Sequence, residues 1–505
     1  MSEIMIGKYT LESLTTGMYT DPYVIFREYI QNAADSIDEA VNTGILPREA
    51  AYIKIFVDPI KKSISIEDNG IGLPGDIAYQ TLTDIGNSAK TQGVTRGFRG
   101  IGRFSGLSYC DKLTFSTSSS EEEYAYSIIF NAKKLRNIIV SNDTTVTANE
   151  AMGRIISKKK TFVSKEYHYF RVILDNVHED TGLLDVDKIY LYLRQNAPVP
   201  FDRSFSWGQS VTNTIVKNLG KLETYRIVLE TRDKRIEVTK PYSDIFLLNR
   251  QTGASDQIKS ISYYQLKDFE GKINGYAWYG KSNYYGTIIG NEVKGLRIRI
   301  GNILIGDHTS LNHVFKDPRF NGWVMGEIYI CDPGLIPNAR RDDFEHTDKY
   351  YILIEQLRNL AANIVKEIRV ASTERNKPLS IAVNEVEKIA SKADEVLENE
   401  RISSTEKGQI SAKIIKAREQ LNAYMYSGVD EEARQAAIEK LDLLTGRVQG
   451  AASFRALNLI PGLSKSDKML LEKIFIRLLE QYSDGDAEQC MEMILGVLNL
   501  SEQKN

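Results

Sequence analysis

A dense group of glycines between positions 86 and 106 limits the fold of this chain more than any other feature. Glycine weakens the interior of helices and strands, but it lets the backbone approach another group closely. The segment therefore predicts a loop rather than a regular element. It ends in FSGLSY, which predicts a helix start, where backbone N–H groups and the helix dipole suit phosphate oxygens. The glycines are Gly86, Gly93, Gly97, Gly100, Gly102 and Gly106.

Basic residues accompany these glycines and add positive charge that a phosphate would favour. However, the segment lacks the Gly-Lys-Ser/Thr of a P-loop, and it does not follow a first strand as a Rossmann fingerprint does. Taken alone, a glycine-rich loop is weak support for phosphate binding. The basic residues are Lys90, Arg96, Arg99 and Arg103.

The segment AAYIKIFVDPIKKSISIEDNGIGLP predicts a β-hairpin, because apolar residues alternate with polar ones and Asp58-Pro59 begins a turn. The second strand ends at Asp68 and is followed by Gly70 and Gly72. A carboxylate in this position could accept a hydrogen bond from an exocyclic amine such as that of adenine. The glycines would let the backbone approach a flat ligand. The alternative is an Asn-Gly turn that only reverses the chain.

The segment TDPYVIFREYIQNAADSIDEAVNTG predicts one helix, with Asp21 as its cap, Pro22 in the first turn and Gly44 at its end. Apolar residues can cover one face. Residues three or four positions apart share a helix face, and a polar face is most often solvated. Asn32 is nevertheless a poor residue for a helix interior. The polar residues of that face are Glu28, Asn32, Asp35 and Glu39.

Composition indicates an ordinary soluble globular protein, with 42% apolar and 26% charged residues. The net charge of −3 gives no argument for nucleic acid or an anionic membrane as a partner. No apolar run approaches the ~20 residues that span a bilayer. The three cysteines lie far apart, which argues against disulfides or a zinc site. We therefore expect a reduced, cytoplasmic protein that does not enter a membrane.

The distribution of residue types along the chain predicts an α+β protein with three domains. Residues 1–200 mix helices and strands and contain the glycine-rich motifs. Residues 201–370 carry strand-like runs such as GLRIRIGNILIG. Residues 371–505 are rich in Glu, Lys, Ala and Leu and predict helices.

Together, and in this order, the three N-terminal motifs resemble the GHKL ATPase superfamily. The similarity is greatest to the HtpG / heat shock protein 90 chaperone family, with MutL- and MORC-like ATPases next. FREYIQNAADSIDEA resembles the helix that carries a catalytic Glu and a magnesium-binding Asn. EDNGIGL resembles the adenine-reading box, and GFRGIGRFS resembles the phosphate-binding box that closes the lid. The resemblance implies a Bergerat-fold α/β sandwich at residues 1–200 that binds ATP and Mg²⁺.

The resemblance also implies a role for each matching residue. Glu28 would orient or deprotonate the attacking water, Asn32 would bind Mg²⁺, and Asp68 would hold the adenine amine. The family usually has a Thr after a Gly on a later strand near the adenine, but YHYFRVILDNV has no Gly-Thr, so that wall of the pocket has no assigned residue. The other implied nucleotide contacts are Asp35, Gly70, Gly72, Lys90, Gly97, Gly100, Ile101 and Gly102.

A second, looser resemblance links GLRIRIGNILIGDH and GEIYICDPGLIPNARRDDFE to the transducer-like middle domain of the HtpG-type chaperones. In that family an arginine after a Leu-Pro-x-Asn stretch reaches the ATP site. Arg341 fits that position best, and Arg340 is a close competitor. The alternative is a surface loop in which arginines pair with aspartates.

The resemblance implies an ATP-driven chaperone that works as a homodimer and whose N-terminal domains close on ATP. The C-terminal helices, including KMLLEKIFIRLLEQY, are expected to hold the dimer or to fold back on their own chain. One alternative is a MutL- or MORC-like nucleic-acid clamp, or a defence-system ATPase acting with a separate effector. Lys158-Lys159-Lys160, Arg297 and Arg299 would then supply basic contacts. Another is a nucleotide-sensing scaffold with negligible turnover. The sequence names no client or effector.

Overall fold

The computed structural model of the protein describes residues 6–15, 21–86, 100–143, 145–375, 379–397, 401–402, 404–423, 429–453 and 464–497. These residues form two compact units, Met1–Val365 and Lys366–Asn505. The first unit contains two large sheets and their helices, and the second is helical. The α+β class predicted from the sequence is confirmed.

An eight-stranded sheet forms the base of the N-terminal part, in the order β5-β4-β3-β6-β2-β1-β7-β8. Its neighbours are antiparallel except β1 and β7, which are parallel. The last two strands lie beyond residue 200, so this sheet extends past the boundary that the sequence predicted for the first domain. The strands are β1 (Ile53–Asp58), β2 (Ser63–Asp68), β3 (Lys112–Ser118), β4 (Tyr124–Asn131), β5 (Ile156–Phe162), β6 (Tyr169–Asp175), β7 (Ile227–Glu230) and β8 (Arg235–Glu237).

Helices pack on this sheet and close its core. Alternate apolar residues of β1 are fully buried against the apolar side of α2, which includes Ile30, Ala34 and Ile37. This pairing of period two with period 3.6 is what the two sequence patterns predicted. The helices of this part are α1 (Tyr9–Thr15), α2 (Val24–Asn42), α3 (Gly75–Thr83), α4 (Ala132–Val140), α5 (Ala148–Ile155), α6 (Val186–Asn196) and α7 (Gly208–Leu219).

The ends of α2 differ in how well the sequence predicted them. The helix begins at Val24, after Tyr23, so the predicted cap at Asp21 is wrong. Asp21 instead accepts the Tyr23 N–H at 3.0 Å and forms a turn ahead of the helix. At the other end Gly44 follows the helix with φ of 76°, a left-handed conformation that favours glycine.

A second sheet of five strands follows, in the order β11-β12-β15-β13-β14. A two-stranded ribbon, β9–β10, precedes it in the sequence. Its core is aromatic and centres on Trp278, which is fully buried against Phe205 and Tyr242. The strands are β9 (Ile245–Leu247), β10 (Ser255–Gln257), β11 (Ser260–Lys267), β12 (Ile273–Lys281), β13 (Gly295–Ile300), β14 (Ile303–Ile305) and β15 (Met325–Ile330).

The second sheet buries a cluster of charged residues. Lys240 donates hydrogen bonds to Glu327 at 2.6 Å, to Asn302 at 2.8 Å and to Tyr329 at 2.8 Å. Arg299 pairs with the other oxygen of Glu327. Arg297 and Arg299 are each only 1% exposed. The prediction that these two arginines contact nucleic acid is therefore wrong, because they lie in the interior.

Helices make up the C-terminal part. After α8 (Asp348–Arg375), three helices pack around a shared apolar core that includes Val386, Leu421 and Leu441. Two further helices form a hairpin around Leu471 and Phe475. None of the helices described is both long and apolar enough to cross a bilayer. The elements are α9 (Leu379–Leu397), β16 (Arg401–Ile402), α10 (Ser404–Ala423), α11 (Val429–Gly450), β17 (Ala452–Ser453), α12 (Lys465–Gln481) and α13 (Asp484–Val497).

Candidate active site

The centre of the candidate site is Glu28, a residue of α2 that is 8% exposed. Its Oε1 atom has no hydrogen-bond partner among the described residues. Two guanidinium groups approach it: Arg27 Nε at 3.8 Å and Arg341 Nε at 3.7 Å. These distances are too long for hydrogen bonds, so the contacts are electrostatic. Glu28 is therefore not the solvated carboxylate that a polar helix face would suggest.

A glycine packs directly on this carboxylate. A Cβ atom at Gly102 would lie 2.1 Å from Glu28 Oε2, so any side chain there would displace the acid or the loop. Gly100, two residues earlier, has φ of 70°, which also favours glycine. The following FSGLSY segment forms a 3₁₀ helix, Gly102–Ser108, instead of the predicted start of an α-helix. The second half of the glycine-rich segment thus lies against α2.

Tyr29 fixes that 3₁₀ helix to α2. Its hydroxyl donates to Arg103 O at 3.0 Å and accepts the Gly106 N–H at 3.1 Å. Burial raises the pKa of this phenol, so it stays a donor over the physiological range. Sequence reasoning did not identify Tyr29, because nothing in the helix pattern separates it from an ordinary core aromatic.

The Asp68 box, which is the EDNGIGL segment at residues 67–73, lies between α2 and β3. Asp68 is 2% exposed at the end of β2 and accepts the Gly70 N–H at 2.9 Å. A Cβ at Gly70 would lie 2.2 Å from Ser36 Oγ of α2. Gly72 has φ of 70°, and a Cβ there would lie 2.1 Å from Ser118 O. Both glycines are therefore required for the backbone to pass through this gap.

The side of the site where the family usually has a Gly-Thr pair is formed here by strands β3 and β6 and by His168. Across the β2–β6 register, Phe170 lies opposite Asp68. Thr117, fully buried on β3, accepts the Leu73 N–H at 2.7 Å and donates to Tyr169 O at 3.1 Å. His168 Nδ1 lies 2.6 Å from Gly70 O, which makes that ring nitrogen the donor. A threonine is thus present beside the box, but it comes from a different strand.

The loop that carries Arg341 contacts α2 in two ways. Arg27 donates from Nη2 to Arg340 O at 2.6 Å, and the Arg341 side chain approaches Glu28. Arg341 has φ of 57°, and its carbonyl accepts the Gly306 N–H at 3.0 Å. The Arg340 side chain is exposed. Of the two candidate arginines, Arg341 is the one whose side chain lies beside Glu28.

The remaining predicted residues lie on α2 and in the Gly100–Gly102 turn, or outside the described residues. Asn32 and Asp35 follow Glu28 on α2 at four and seven residues' distance and are half-buried, as is Ile101 between its two glycines. Lys90 and Gly97 lie outside the described residues, so the part of the glycine-rich segment that contains them adds nothing to the geometry.

The described residues fit a nucleotide with magnesium. Glu28 Oε1 and Ser36 Oγ are buried without a hydrogen bond to described residues, so each has capacity left for a ligand or a water. No cluster of three metal-ligating side chains occurs among the residues described. Mg²⁺ at nucleotide sites needs none, since it takes one or two side-chain oxygens plus phosphates and water. The amide oxygen of Asn32 is a suitable ligand.

A family model matches the segment that contains most of these residues. Residues 22–161 match the model of the family described as histidine kinase-, DNA gyrase B-, and HSP90-like ATPase. The chain is also similar to HtpG chaperone proteins. It is 31% identical to that of Albidiferax ferrireducens over 122 residues, which are 21% of this chain and 18% of the relative. Identity to the Clostridium acetobutylicum protein is 30% over 136 residues, 24% of this chain and 22% of the relative.

A third relative, the HtpG protein of Polaromonas naphthalenivorans, is 33% identical over 122 residues, 21% of this chain and 19% of the relative. The chain thus spans about a fifth of the length of the curated relatives that it matches. The matched residues contain α2, the Asp68 box and the Gly100–Gly102 turn, which are the motifs that the sequence resemblance rested on. The chain therefore carries, at residues 22–161, an ATPase domain of the GHKL superfamily.

Proposed function

We propose that this protein hydrolyses ATP with Mg²⁺ and that Glu28 activates the attacking water. The observation that carries the proposal is the buried Glu28 carboxylate, whose Oε1 makes no hydrogen bond to the described residues while Gly102 lies against its other oxygen. A carboxylate in that position can orient a water or take its proton beside a phosphate held by the Gly100–Gly102 backbone.

Recognition of the base would fall to Asp68. Its carboxylate is fixed at the end of β2 by the Gly70 N–H, so it offers a rigid acceptor for an exocyclic amine. Gly70 and Gly72 let the backbone next to Asp68 pack directly against Ser36 and Ser118, which holds this segment in place. Thr117 and Phe170 would border the ring from β3 and β6.

The phosphates would lie between the Gly100–Gly102 turn and helix α2. Gly100, Ile101 and Gly102 would offer backbone N–H groups at the start of the 3₁₀ helix. Asn32, one helical turn from Glu28, would hold Mg²⁺, with Asp35 further along the same face. When bound, Mg²⁺ would neutralise charge on the phosphate oxygens during transfer. Lys90 and Gly97 are proposed to contribute from the same segment.

Arg341, which lies in the loop between β15 and α8, would complete the site. Phosphoryl transfer spreads charge over the γ-phosphate oxygens, and an arginine supplied from outside the pocket can stabilise it. The 3.7 Å separation from Glu28 supports this role, since a group so close to the base is also close to the reacting phosphate.

The larger activity we propose is that of a chaperone-like dimer in which ATP binding closes the N-terminal domains and hydrolysis reopens them. Similarity to HtpG proteins supports it for the ATPase domain alone. A nucleic-acid clamp or a defence ATPase with a separate effector is the second candidate, favoured by the exposed Lys158–Lys160 run. Suppression of client aggregation would distinguish the first, and stimulation of turnover by DNA the second.

The test of the ATPase proposal is Glu28→Ala in the full chain. We expect ATP binding by calorimetry to persist and turnover to fall by ~10²–10⁴-fold, the usual contribution of a positioned acid–base group. The same variant with ATP should trap the closed state, so a pull-down would also identify what it holds. Turnover within a factor of two of the parent protein would remove Glu28 from the mechanism.

A further inference from the structure

Strand β5 forms one edge of the eight-stranded sheet and carries Lys158, Lys159 and Lys160 at its centre. Six of its seven residues are exposed and the seventh is half-buried. No described strand pairs with its outer side. Within the described part of the chain, none of the three lysines forms an ion pair, whereas the nearby Lys165 is paired with Glu123. The strand therefore presents three exposed lysines that form no ion pair with the described residues.

The β4–β5 register brings aromatic rings to these lysines. Lys158, Lys160 and Phe162 lie opposite Ile128, Tyr126 and Tyr124, so the six residues share one face of the sheet. Lys160 Nζ lies 3.8 Å from the centre of the Tyr124 ring. Lys158 Nζ lies 3.3 Å from that of Tyr79, a residue of α3. Cation–π contacts of this kind hold the ammonium groups in place and leave their N–H donors available.

Protection of the sheet edge explains only part of this surface. Lysines on an edge strand discourage pairing with another chain, and for that purpose any exposed lysines would serve. An aromatic ring left in solvent works in the opposite direction. Phe162 is 70% exposed and Tyr124, in edge contact with it, is 38% exposed. The combination of lysines with an open ring indicates a ligand that has both negative charge and flat groups.

We propose that the face formed by Lys158, Lys160, Phe162 and Tyr124 binds single-stranded nucleic acid. Lys158 and Lys160 are about 7 Å apart along the strand, comparable to successive phosphates of an extended chain. Phe162 lies the same distance further on, where a base can stack on it. Positive charge that follows the backbone, combined with aromatic platforms, is the usual basis of binding without sequence preference.

The observations favour this ligand over an acidic peptide added as a strand. Such a peptide would pair with the outer edge of β5 and need no exposed Phe162. They also favour a single strand over a duplex, since bases stacked within a duplex do not offer their faces. This site lies apart from the Glu28 carboxylate, and its binding does not depend on ATP hydrolysis.

The test measures binding of a fluorescein-labelled 20-nucleotide oligo(dT) to the full chain by anisotropy between about 50 and 200 mM salt. Lys158→Gln/Lys160→Gln should reduce the slope of log K against log salt by about 1.4, from about 0.7 for each phosphate contact. Phe162→Ala should weaken binding about tenfold at every salt concentration and leave the slope unchanged. The matched control, Lys61→Gln/Lys234→Gln, removes two exposed lysines from the β1–β2 and β7–β8 turns of the same sheet and should change neither.

Three results would overturn the proposal. One is the absence of oligo(dT) binding at 50 mM salt, which would leave edge protection as the role of the lysines. The second is equal weakening by the control pair, which would indicate diffuse attraction. The third is binding of an oligo-glutamate peptide that needs the lysines but not Phe162, which would assign β5 to an acidic protein partner. Since all these side chains are exposed, circular dichroism melts should confirm that each variant folds like the parent protein.

Discussion

Glu28 receives its surroundings from its own helix and from two distant parts of the chain. Arg27 precedes it on α2, Gly102 comes from the glycine-rich segment, and Arg341 comes from a loop more than three hundred residues away. Because the carboxylate is buried, each neighbour acts at short range and with little screening. A substitution at any one of them should therefore alter turnover more than it alters folding.

Arg341→Ala is expected to lower ATP turnover at least ~10-fold, a modest part of the range known for arginines that act on a transferred phosphate. ATP affinity should change little, because the residue would act on the γ-phosphate during the reaction. Steady-state kinetics and calorimetry would measure the two effects separately.

The control is Arg340→Ala, which keeps the backbone carbonyl that Arg27 binds and removes an exposed side chain. It should leave turnover unchanged. If Arg340→Ala slows hydrolysis and Arg341→Ala does not, the assignment is off by one residue. If neither has an effect, the arginine does not serve this site.

At this scale, the sequence identified the residues that belong to short motifs and missed those that meet across the fold. Glu28, Asp68 and Gly102 stand in local patterns. Thr117 and Tyr29 do not, and their partners lie 44 and 74 residues away. Such contacts depend on strand register and helix docking, which a single sequence does not specify.

Among the elements, the 3₁₀ helix Gly102–Ser108 depends most on one small residue. Gly102→Ala should lower the rate constant for hydrolysis by about 100-fold, since displacing a reacting group by about 1 Å has that effect. The added Cβ would lie 2.1 Å from Glu28 Oε2, so the carboxylate must move. Gly153→Ala on α5, where a Cβ meets nothing within 4 Å, is the matched control and should leave turnover unchanged. Equal activity of the two variants would show that the turn and Glu28 separate when ATP binds.

The five-stranded sheet depends on its buried charges. Glu327 pairs with both Lys240 and Arg299, so Glu327→Gln leaves Arg299 as a buried cation without its carboxylate partner and should destabilise the protein by about 3–5 kcal/mol. Lys240→Met leaves the Arg299–Glu327 pair intact and should cost less. Denaturant unfolding would compare the two, and an equal loss would show that the cluster does not act through its net charge.

This cluster also gives a pH dependence. Burial raises the pKa of Glu327, but Arg299 and Lys240 outweigh it and lower that pKa from 4.5 to about 2. A carboxylate with a lowered pKa contributes stability that is present above pH 4.5 and is lost as the pH falls toward 2. The slope of unfolding free energy against pH in this window should therefore be smaller in Glu327→Gln.

Elements with a strong local period were predictable from the sequence, and elements joined by long-range pairing were not. α2, the β1–β2 hairpin and the C-terminal helices follow their periodicity. The parallel pairing of β1 with β7 joins residues 53–56 to 227–230, and no local pattern indicates it.

For the whole molecule, assembly should depend on the hairpin of α12 and α13. Its own core is small, and Leu470 and Met493 remain 60% and 68% exposed. Exposed apolar side chains on these two helices favour burial against another surface, and a second copy of the hairpin offers the same surface by symmetry. We therefore expect light scattering of the full chain, without nucleotide, to give about twice the mass of 57.1 kDa.

Leu470→Glu/Met493→Glu should reduce the measured mass to that of one chain, and truncation after Arg375 should also give a monomer. Leu443→Glu on α11, at a residue that is 73% exposed, is the matched control and should remain dimeric. Dissociation by Leu443→Glu alone would place the interface on the three-helix bundle, and a dimer that survives truncation would place it within the first unit.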